Sequence, residues 1–312
     1  MTFVPNALSD QRDAAVLRAL EAREHVPLEW APVDCSRDGM QATVFCTTDA
    51  LRLTAVETAT STDDVTGVNV RLGVSATLAQ HVADLLGCCQ TTARIEDLAW
   101  QQASAPLEPQ LMPAGPAMTT TAQMIAYSRR VDAALAGRVG LARTVGKSWI
   151  LTPLLWHHPL GDLGAVNYGF HTRVAPSKQG PFVSASGLTM WQTIGRRHDA
   201  AHADYSQTLV LVHPDMIVDG VRTKVEDVMQ DPGRARLLCD DGVCPTRHPA
   251  IPRHFYPDDG PPPPWSSPPA GGGAGSGSGS PGGFDWPSGC ALVAGAAVGY
   301  AATRALAGSL LR

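Results

Sequence analysis

A tract rich in proline, glycine and serine, residues 257–285, divides this chain into parts of very different folding capacity. The four consecutive prolines at 261–264 favour an extended polyproline II conformation, and the glycines that follow supply almost no side chain to bury. Because such a composition cannot support a hydrophobic core, we expect a disordered linker here. The residues before it must then form the folded domain, and the residues after it a separate element.

The segment after the linker, residues 286–312, is apolar and carries no charge between Trp286 and Thr303. About 20 residues rising 1.5 Å each suffice to cross the hydrocarbon core of a bilayer. Small residues recur within the segment at a spacing that lets helices pack closely in lipid: Ala291, Gly295 and Gly299. We therefore predict a C-terminal transmembrane helix with the capacity for helix–helix association. Docking of this helix on another protein is the alternative.

Bulk composition limits the classes of protein that remain. Hydrophobic residues make up 44% of the sequence and charged residues 17%, which suits a folded core. The formal net charge of −5 supplies no basic field, so we expect no nucleic-acid partner. The first residues lack the basic region and apolar run of a secretory signal. We therefore expect a membrane-associated or cell-envelope protein without an N-terminal signal peptide.

Hydrophobic periodicity predicts the order of the secondary-structure elements. The predicted helices cover residues 9–24, 75–87, 91–102 and 119–137. The predicted strands cover residues 41–55, 69–74, 148–151, 165–170, 208–212 and 216–218. Because the helices precede a cluster of strands and do not alternate with them, we predict an α+β fold with a mixed or antiparallel sheet and packed helices. We divide it into an N-terminal helical segment, residues 1–40, and an α+β core domain, residues 41–256.

The seven cysteines have no metal-binding spacing, since the sequence contains no Cys-x-x-Cys pair. Cys239 and Cys244 flank the turn-forming residues Asp-Asp-Gly-Val, so a disulfide between them would close a small loop. Reduced, buried thiols are the alternative. We expect no bound cofactor on these grounds.

Three short segments carry the strongest chemical signal: Tyr168-Gly169-Phe170-His171, then His198, then Asp204-Tyr205-Ser206. This set resembles an uncharacterised bacterial family, often exported, with the pattern Tyr-Gly-Trp-His, then His, then Asp-Tyr-Ser-His-Gly. Phe170 stands at the Trp position of that pattern, and Gln207 at its last His. The likeness extends upstream through Gly146-Lys147 and Cys88, and covers about residues 49–231. The resemblance implies a shared site and assigns no reaction.

The first reading of this site is a thiol hydrolase. Cys88 precedes the predicted helix 91–102, whose N-terminal dipole would lower the thiol pKa. His171 or His198 would act as the base, and Asp204 would orient it. The chain order resembles that of papain-like peptidases, including those that cut cell walls. The alternative for Cys88 is a small apolar residue of the core.

Two further readings use the same segments. His198, His202 and Asp204 are close enough in sequence to hold zinc, although no single helix or strand presents all three on one face. Ser206 would serve as a nucleophile, but no Gly-x-Ser-x-Gly elbow surrounds it. We therefore place no metal in the predicted site.

Four polar residues near these segments are candidates to bind substrate: Lys147, Arg197, Tyr205 and Ser206. Arg197 could hold a substrate carboxylate bidentately. The alternative for each is an ordinary structural or solvated side chain.

Together these patterns predict a hydrolase that cuts an amide bond of a cell-envelope polymer by a mechanism assisted by histidine, and we expect this polymer to be the peptide of peptidoglycan. The catalytic candidates are Cys88, His171, His198 and Asp204. The alternative is a non-catalytic structural or cargo module of a phage or secretion particle with a membrane-inserting tail. In that case the histidines and Asp204 would form a buried network that shapes the core. Convergence of His171, His198 and Asp204 in an open cleft would favour the enzyme.

Overall fold

This computed structural model describes residues 1–6, 10–174 and 182–254, which contain five α-helices, fourteen strands and three short 3-10 helices. Helices α1 to α5 are Asp10–Glu21, Ala76–Leu86, Ala93–Gln101, Thr121–Leu135 and Val225–Gln230. Strands β1 to β14 are Thr2–Phe3, Trp30–Asp34, Ala42–Thr47, Arg52–Ala59, Asp64–Arg71, Ala105–Pro106, Ala142–Arg143, Lys147–Trp149, Gly164–Gly169, Phe182–Val183, Thr189–Met190, Gly195–Asp199, Asp215–Val218 and Val221–Lys224.

The predicted linker and the predicted C-terminal helix lie outside the described residues. Among the residues that are described, no helix combines the length and the apolar character needed to cross a membrane.

Local capping interactions explain where the helices begin and end. The Ser75 hydroxyl accepts a hydrogen bond from the Leu78 N–H at 3.0 Å and so begins α2. Gly87 ends α2 with a φ of +60°, the left-handed conformation that glycine adopts without strain. Thr92 and Thr120 cap α3 and α4 in the same way as Ser75 caps α2. These observations confirm the helices predicted from the sequence.

The strands form several small sheets. The largest is antiparallel, in the order β14-β13-β3-β2. A second has the order β1-β4-β5, with β1 parallel to β4, and a third, antiparallel, has the order β12-β9-β8. Two short pairs, β6-β7 and β10-β11, complete the set. The fold is therefore mixed α+β, with its strands distributed over separate sheets.

Two strands from the first 40 residues, β1 and β2, are part of these sheets. β1 pairs with β4 and β2 pairs with β3 along its whole length. The described residues up to 254 fall within one compact unit. A boundary at residue 40 therefore does not coincide with a gap in the strand pairing.

The segment 208–212, predicted to be a strand, forms no ladder. The Leu211 carbonyl accepts from the Thr47 N–H at 2.9 Å, whereas the Val212 N–H and carbonyl bond to Cys89 at 2.9 Å. Its hydrogen bonds therefore go to two different partner segments, and only isolated bridges result. The apolar residues of this stretch are buried, which explains the strand-like pattern.

The sheet β12-β9-β8 separates two hydrophobic clusters. Ala165 and the β8 residue Trp149 pack in one cluster, while Val166 and Tyr168 pack in the other. Successive residues of a strand point to opposite faces, so β9 contributes side chains to both clusters. We call these the Ala165 face and the Tyr168 face of the sheet.

Candidate active site

Four polar side chains gather on the Ala165 face: Lys147, His198, His202 and Asp204. His198 lies directly opposite Ala165 in the β12-β9 register, so its side chain shares that face. Its ring meets the edge of the Trp149 ring at 6.5 Å and stacks on the His202 ring at 3.8 Å with an interplanar angle of 8°. Both histidines are half-buried.

Local backbone features place the two histidines against each other. The register of β12 shifts between Gly195 and His198, a β-bulge of the kind that re-aims side chains beside active sites. After His198, the Asp199 carboxylate accepts hydrogen bonds from the Ala201 N–H at 3.1 Å and the His202 N–H at 3.0 Å. This turn reverses the chain and brings the His202 ring over that of His198.

Lys147 reaches the cluster because β8 begins at a close approach of two backbones. A Cβ at Gly146 would lie 2.1 Å from the Thr208 hydroxyl oxygen, so only glycine fits there. The Lys147 N–H then donates to the Ser206 carbonyl at 2.5 Å. This contact leaves the Lys147 ammonium 3.9 Å from a carboxylate oxygen of Asp204 and 5.6 Å from the centre of the Phe170 ring.

Asp204 is a buried carboxylate with several partners. Its Oδ1 accepts from the Ser206 N–H at 2.7 Å and from the Ser206 hydroxyl at 2.5 Å, and its Oδ2 lies 3.7 Å from His202 Nε2. At 3.7 Å the last contact is electrostatic and too long for a hydrogen bond. Burial alone would raise the pKa of Asp204, but His202, Lys147 and Ser206 outweigh it and lower the pKa well below its usual range. The side chain is therefore ionised at neutral pH.

The pKa of His198 is lowered, chiefly by burial and then by its neighbours His202 and Lys147. The Asp204 and Asp199 carboxylates act in the opposite direction and do not cancel the effect. His198 is thus a neutral imidazole at physiological pH, with a lone pair able to accept a proton. A neutral, half-exposed base next to a buried anion is an arrangement suited to general base catalysis.

His171, which we expected beside His198 and Asp204, lies in a different network on the Tyr168 face. Its Nε2 is 2.7 Å from Asp97 Oδ1, and the Tyr168 hydroxyl donates to the same oxygen at 2.7 Å. The Trp100 ring stacks on its imidazole at 5.5 Å. The separation has a backbone cause: Phe170, with a φ of +60°, redirects the chain at the end of β9.

The Asp97 carboxylate is the functional group that the sequence reasoning missed. Burial would raise its pKa, but hydrogen bonds from His171, Tyr168 and Ser186 outweigh burial and lower it. Asp97 is 1% exposed and His171 2% exposed, so this network is shielded from solvent. His171 therefore has an acidic partner, but it is Asp97 and not Asp204.

Cys88 occupies the end of one helix and not the beginning of the next. Its N–H donates to the Ala83 carbonyl at 2.9 Å as the last bond of the motif that ends α2, and its thiol contacts the Leu86 carbonyl oxygen at 3.4 Å. Burial, followed by the neighbouring Cys89, raises the pKa of the Cys88 thiol well above its usual value. Carbonyl groups at a helix C-terminus disfavour an anion. This position therefore opposes formation of a thiolate.

The remaining substrate-binding candidates divide into two groups. The Ser206 hydroxyl is engaged with Asp204, and the Tyr205 hydroxyl accepts from the Met112 N–H at 3.0 Å while its ring packs on Tyr127. Ser206 thus holds Asp204, and Tyr205 is engaged with Met112 and Tyr127. Arg197 is exposed on the bulge of β12, next to His198 in the chain. Because adjacent residues of a strand point to opposite faces, this position does not bring Arg197 to the Ala165 face.

The site as described holds histidine and carboxylate groups without the geometry of a metal centre. Within residues 1–6, 10–174 and 182–254, no three histidine, cysteine or acidic side chains are grouped to hold a metal ion. The zinc reading of His198, His202 and Asp204 thus rests on sequence spacing.

No protein-family model, curated protein or solved structure matches this chain. The resemblance to the Tyr-Gly-Trp-His family therefore stays a prediction. The fold and the two networks define a mixed α+β protein with a histidine–carboxylate site on one face of a small sheet.

Proposed function

We propose that this protein is a hydrolase that cuts an amide bond of a cell-envelope polymer, the peptide of peptidoglycan, with His198 as general base. The observation that supports this proposal is the neutral, half-exposed His198 ring stacked on His202, beside the buried Asp204 carboxylate. No thiolate is required. Water is the nucleophile in this mechanism, in place of the Cys88 thiol expected from the sequence.

The proposed reaction assigns one role each to water, His198 and Asp204. His198 accepts a proton from a water molecule as the water oxygen attacks the amide carbon. The imidazolium that forms is stabilised by Asp204, whose charge raises the pKa of His198. His198 then returns the proton to the leaving amine, so the proton balance closes with one water consumed.

Two observations support a site of action outside the cytoplasm. Cys239 and Cys244 form a disulfide, the closed-loop alternative of the two that the sequence left open. Disulfides persist in oxidising compartments such as the periplasm and the cell surface. The apolar segment 286–312 would tether the enzyme to the membrane, as its composition predicts. We therefore place the protein at the cell envelope, with the membrane and the wall polymer as its partners.

The test is release of soluble muropeptides from peptidoglycan sacculi by the full-length chain, measured by chromatography. Wild type should release them, and His198→Ala should lower the rate by about 100-fold or more, the usual contribution of a general base. His157→Ala, which changes an exposed histidine, is the matched control and should keep the wild-type rate. Cys88→Ala should also remain active. Wild type without release, or His198→Ala with full activity, would overturn the proposal.

A non-catalytic structural or cargo module of a phage or secretion particle is the second candidate. It is favoured by the His171–Asp97–Tyr168 network, which is buried and paired, as expected for residues that shape a core. This candidate predicts that the full-length chain binds membrane vesicles without releasing muropeptides. Co-sedimentation with vesicles alongside the sacculus assay separates the two.

A further inference from the structure

A cavity of about 330 Å³ adjoins the buried network on the Tyr168 face, apart from His198 and its neighbours. Its volume lies at the small end of the range for ligand sites. Asp97 and Tyr168 are among its lining residues, and both are buried. The carboxylate–tyrosine pair of the Tyr168 face therefore forms part of the cavity wall.

The walls of the cavity are mainly apolar. They include Leu151, Phe182, Met190 and Ile194. These side chains suit an aliphatic chain, although hydroxyl and amide groups such as Thr193 and Gln192 also line the cavity. The carbon chain of a ligand would lie against the apolar part of the wall.

The charges around the cavity decide the sign of that polar end. Arg94 is the lining cation, but its Nε donates to the Leu237 carbonyl at 3.0 Å and its Nη1 to Asp240 at 3.3 Å. Asp240 is in turn 2.7 Å from Nη1 of Arg37. These groups satisfy one another, so Arg94 is not free to hold an anion.

The carboxylate of Asp97 is paired with a weaker base than the arginines that hold Asp240. Its ion-pair partner is His171, a side chain that is charged only when protonated. Asp97 itself is ionised at neutral pH, because its hydrogen bonds lower its pKa. Of the other two lining carboxylates, Asp240 is paired with Arg94 and Arg37, and Asp241 is exposed. The field of the Asp97 and Asp241 carboxylates favours a cation in this cavity.

We propose that this cavity binds an aliphatic primary ammonium, with the carbon chain against Leu151 and Ile194 and the ammonium directed to Asp97 and the Tyr168 hydroxyl. The Tyr168 hydroxyl already donates its hydrogen to Asp97. Both groups therefore offer only oxygen lone pairs, which can accept from the three N–H donors of an ammonium. This site is independent of hydrolysis and of His198. It provides the protein with a second recognition element, for an amine-bearing chain.

The test is calorimetric titration of the full-length chain with n-pentylammonium chloride at neutral pH, with n-pentanol and sodium pentanoate as probes of the same length. The ammonium should bind saturably and at least tenfold more tightly than either. Asp97→Asn should weaken its binding at least tenfold. Asp227→Asn removes a carboxylate from an exposed position of α5, outside the lining, and should leave binding unchanged.

A second variant keeps the test decisive if Asp97→Asn fails to fold. Ile194→Lys places a tethered ammonium at the half-buried wall and should abolish binding of the free probe while circular dichroism stays native. His198→Ala should bind the probe like wild type, which separates this proposal from the hydrolase. Absence of saturable binding by wild type, equal binding of n-pentanol, or preference for pentanoate would overturn the proposal.

Discussion

Replacing Lys147 by Met tests whether the buried ion pair holds the His198 site together. Lys147 is 7% exposed and Asp204 5% exposed, so solvent screens their interaction little. At 3.9 Å and an effective dielectric constant of about 20, the gross attraction is about 4 kcal/mol. Removing one partner of a buried pair typically costs about 3–5 kcal/mol. Because Ser206 still donates two hydrogen bonds to Asp204, we expect the lower end, a loss of about 3 kcal/mol in the free energy of unfolding.

The assay is urea unfolding of the full-length chain, with the free energy obtained by linear extrapolation. Lys224→Met is the matched control, since Lys224 is exposed and its partner Asp215 keeps Arg222. The control should lose less than about 1 kcal/mol, as exposed ion pairs do. If Lys147→Met is no less stable than Lys224→Met, the ion pair does not organise the site and our reasoning about Asp204 is wrong.

Three further predictions concern the scaffold. Gly146→Ala should lower the free energy of unfolding by about 1–3 kcal/mol, because its Cβ would lie 2.1 Å from the Thr208 hydroxyl oxygen. The control Gly233→Ala, whose Cβ would have its nearest contact at 3.3 Å, should change the melting temperature little, whereas Gly146→Ala should lower it. Replacing both Cys239 and Cys244 by Ser should cost about 2 kcal/mol in chemical unfolding, the chain-entropy value for so short a loop. The pKa of Asp204 is lowered in the folded state, so its contribution to stability is present above its unfolded pKa of about 4 and is lost as the pH falls. The melting temperature of Asp204→Asn should therefore decline less than that of wild type between about pH 5 and pH 2.

Features that depend on local hydrogen bonds could be predicted from the sequence. The predicted helix 75–87 begins at Ser75 and ends at Gly87, the residues that cap α2, because caps and left-handed glycines act within one turn of the helix. The predicted start at residue 91 lies one residue before Thr92, the N-cap of α3. The turn at Asp219-Gly220 between β13 and β14 belongs to the same class, since both residues have positive φ. The mixed α+β class followed from the order of these elements.

The composition of the site could be predicted only in part, because it depends on which face of a strand each residue takes. His198 and Asp204 were catalytic candidates and Lys147 a substrate-binding candidate, and the three lie together on the Ala165 face. His171 was also a catalytic candidate, but it lies in the Asp97 network on the Tyr168 face. Tyr168 points to that face of β9, and the positive φ of Phe170 turns the chain before His171. A motif gives residue types in order, but sheet register decides their neighbours.

Asp97 shows a second limit of sequence patterns. In α3 the buried apolar residues Ile95 and Ala99 mark one helical face, and Asp97 is offset from both. Helical periodicity therefore directs it away from the apolar face, although tertiary contacts bury it. Cys88 shows a related limit, because a residue between two helices can belong to the end of the first or the start of the second. The hydrogen bond of its N–H to Ala83 decides for the first.

The separation of the two histidine networks is the central claim, and a histidine titration by NMR tests it most directly. We predict that His198 titrates with a pKa below 6.5 and that Asp204→Asn lowers this pKa further, because a neighbouring carboxylate is removed. Asp97→Asn should leave the pKa of His198 unchanged. A His198 titration that shifts with Asp97→Asn but not with Asp204→Asn would contradict the account.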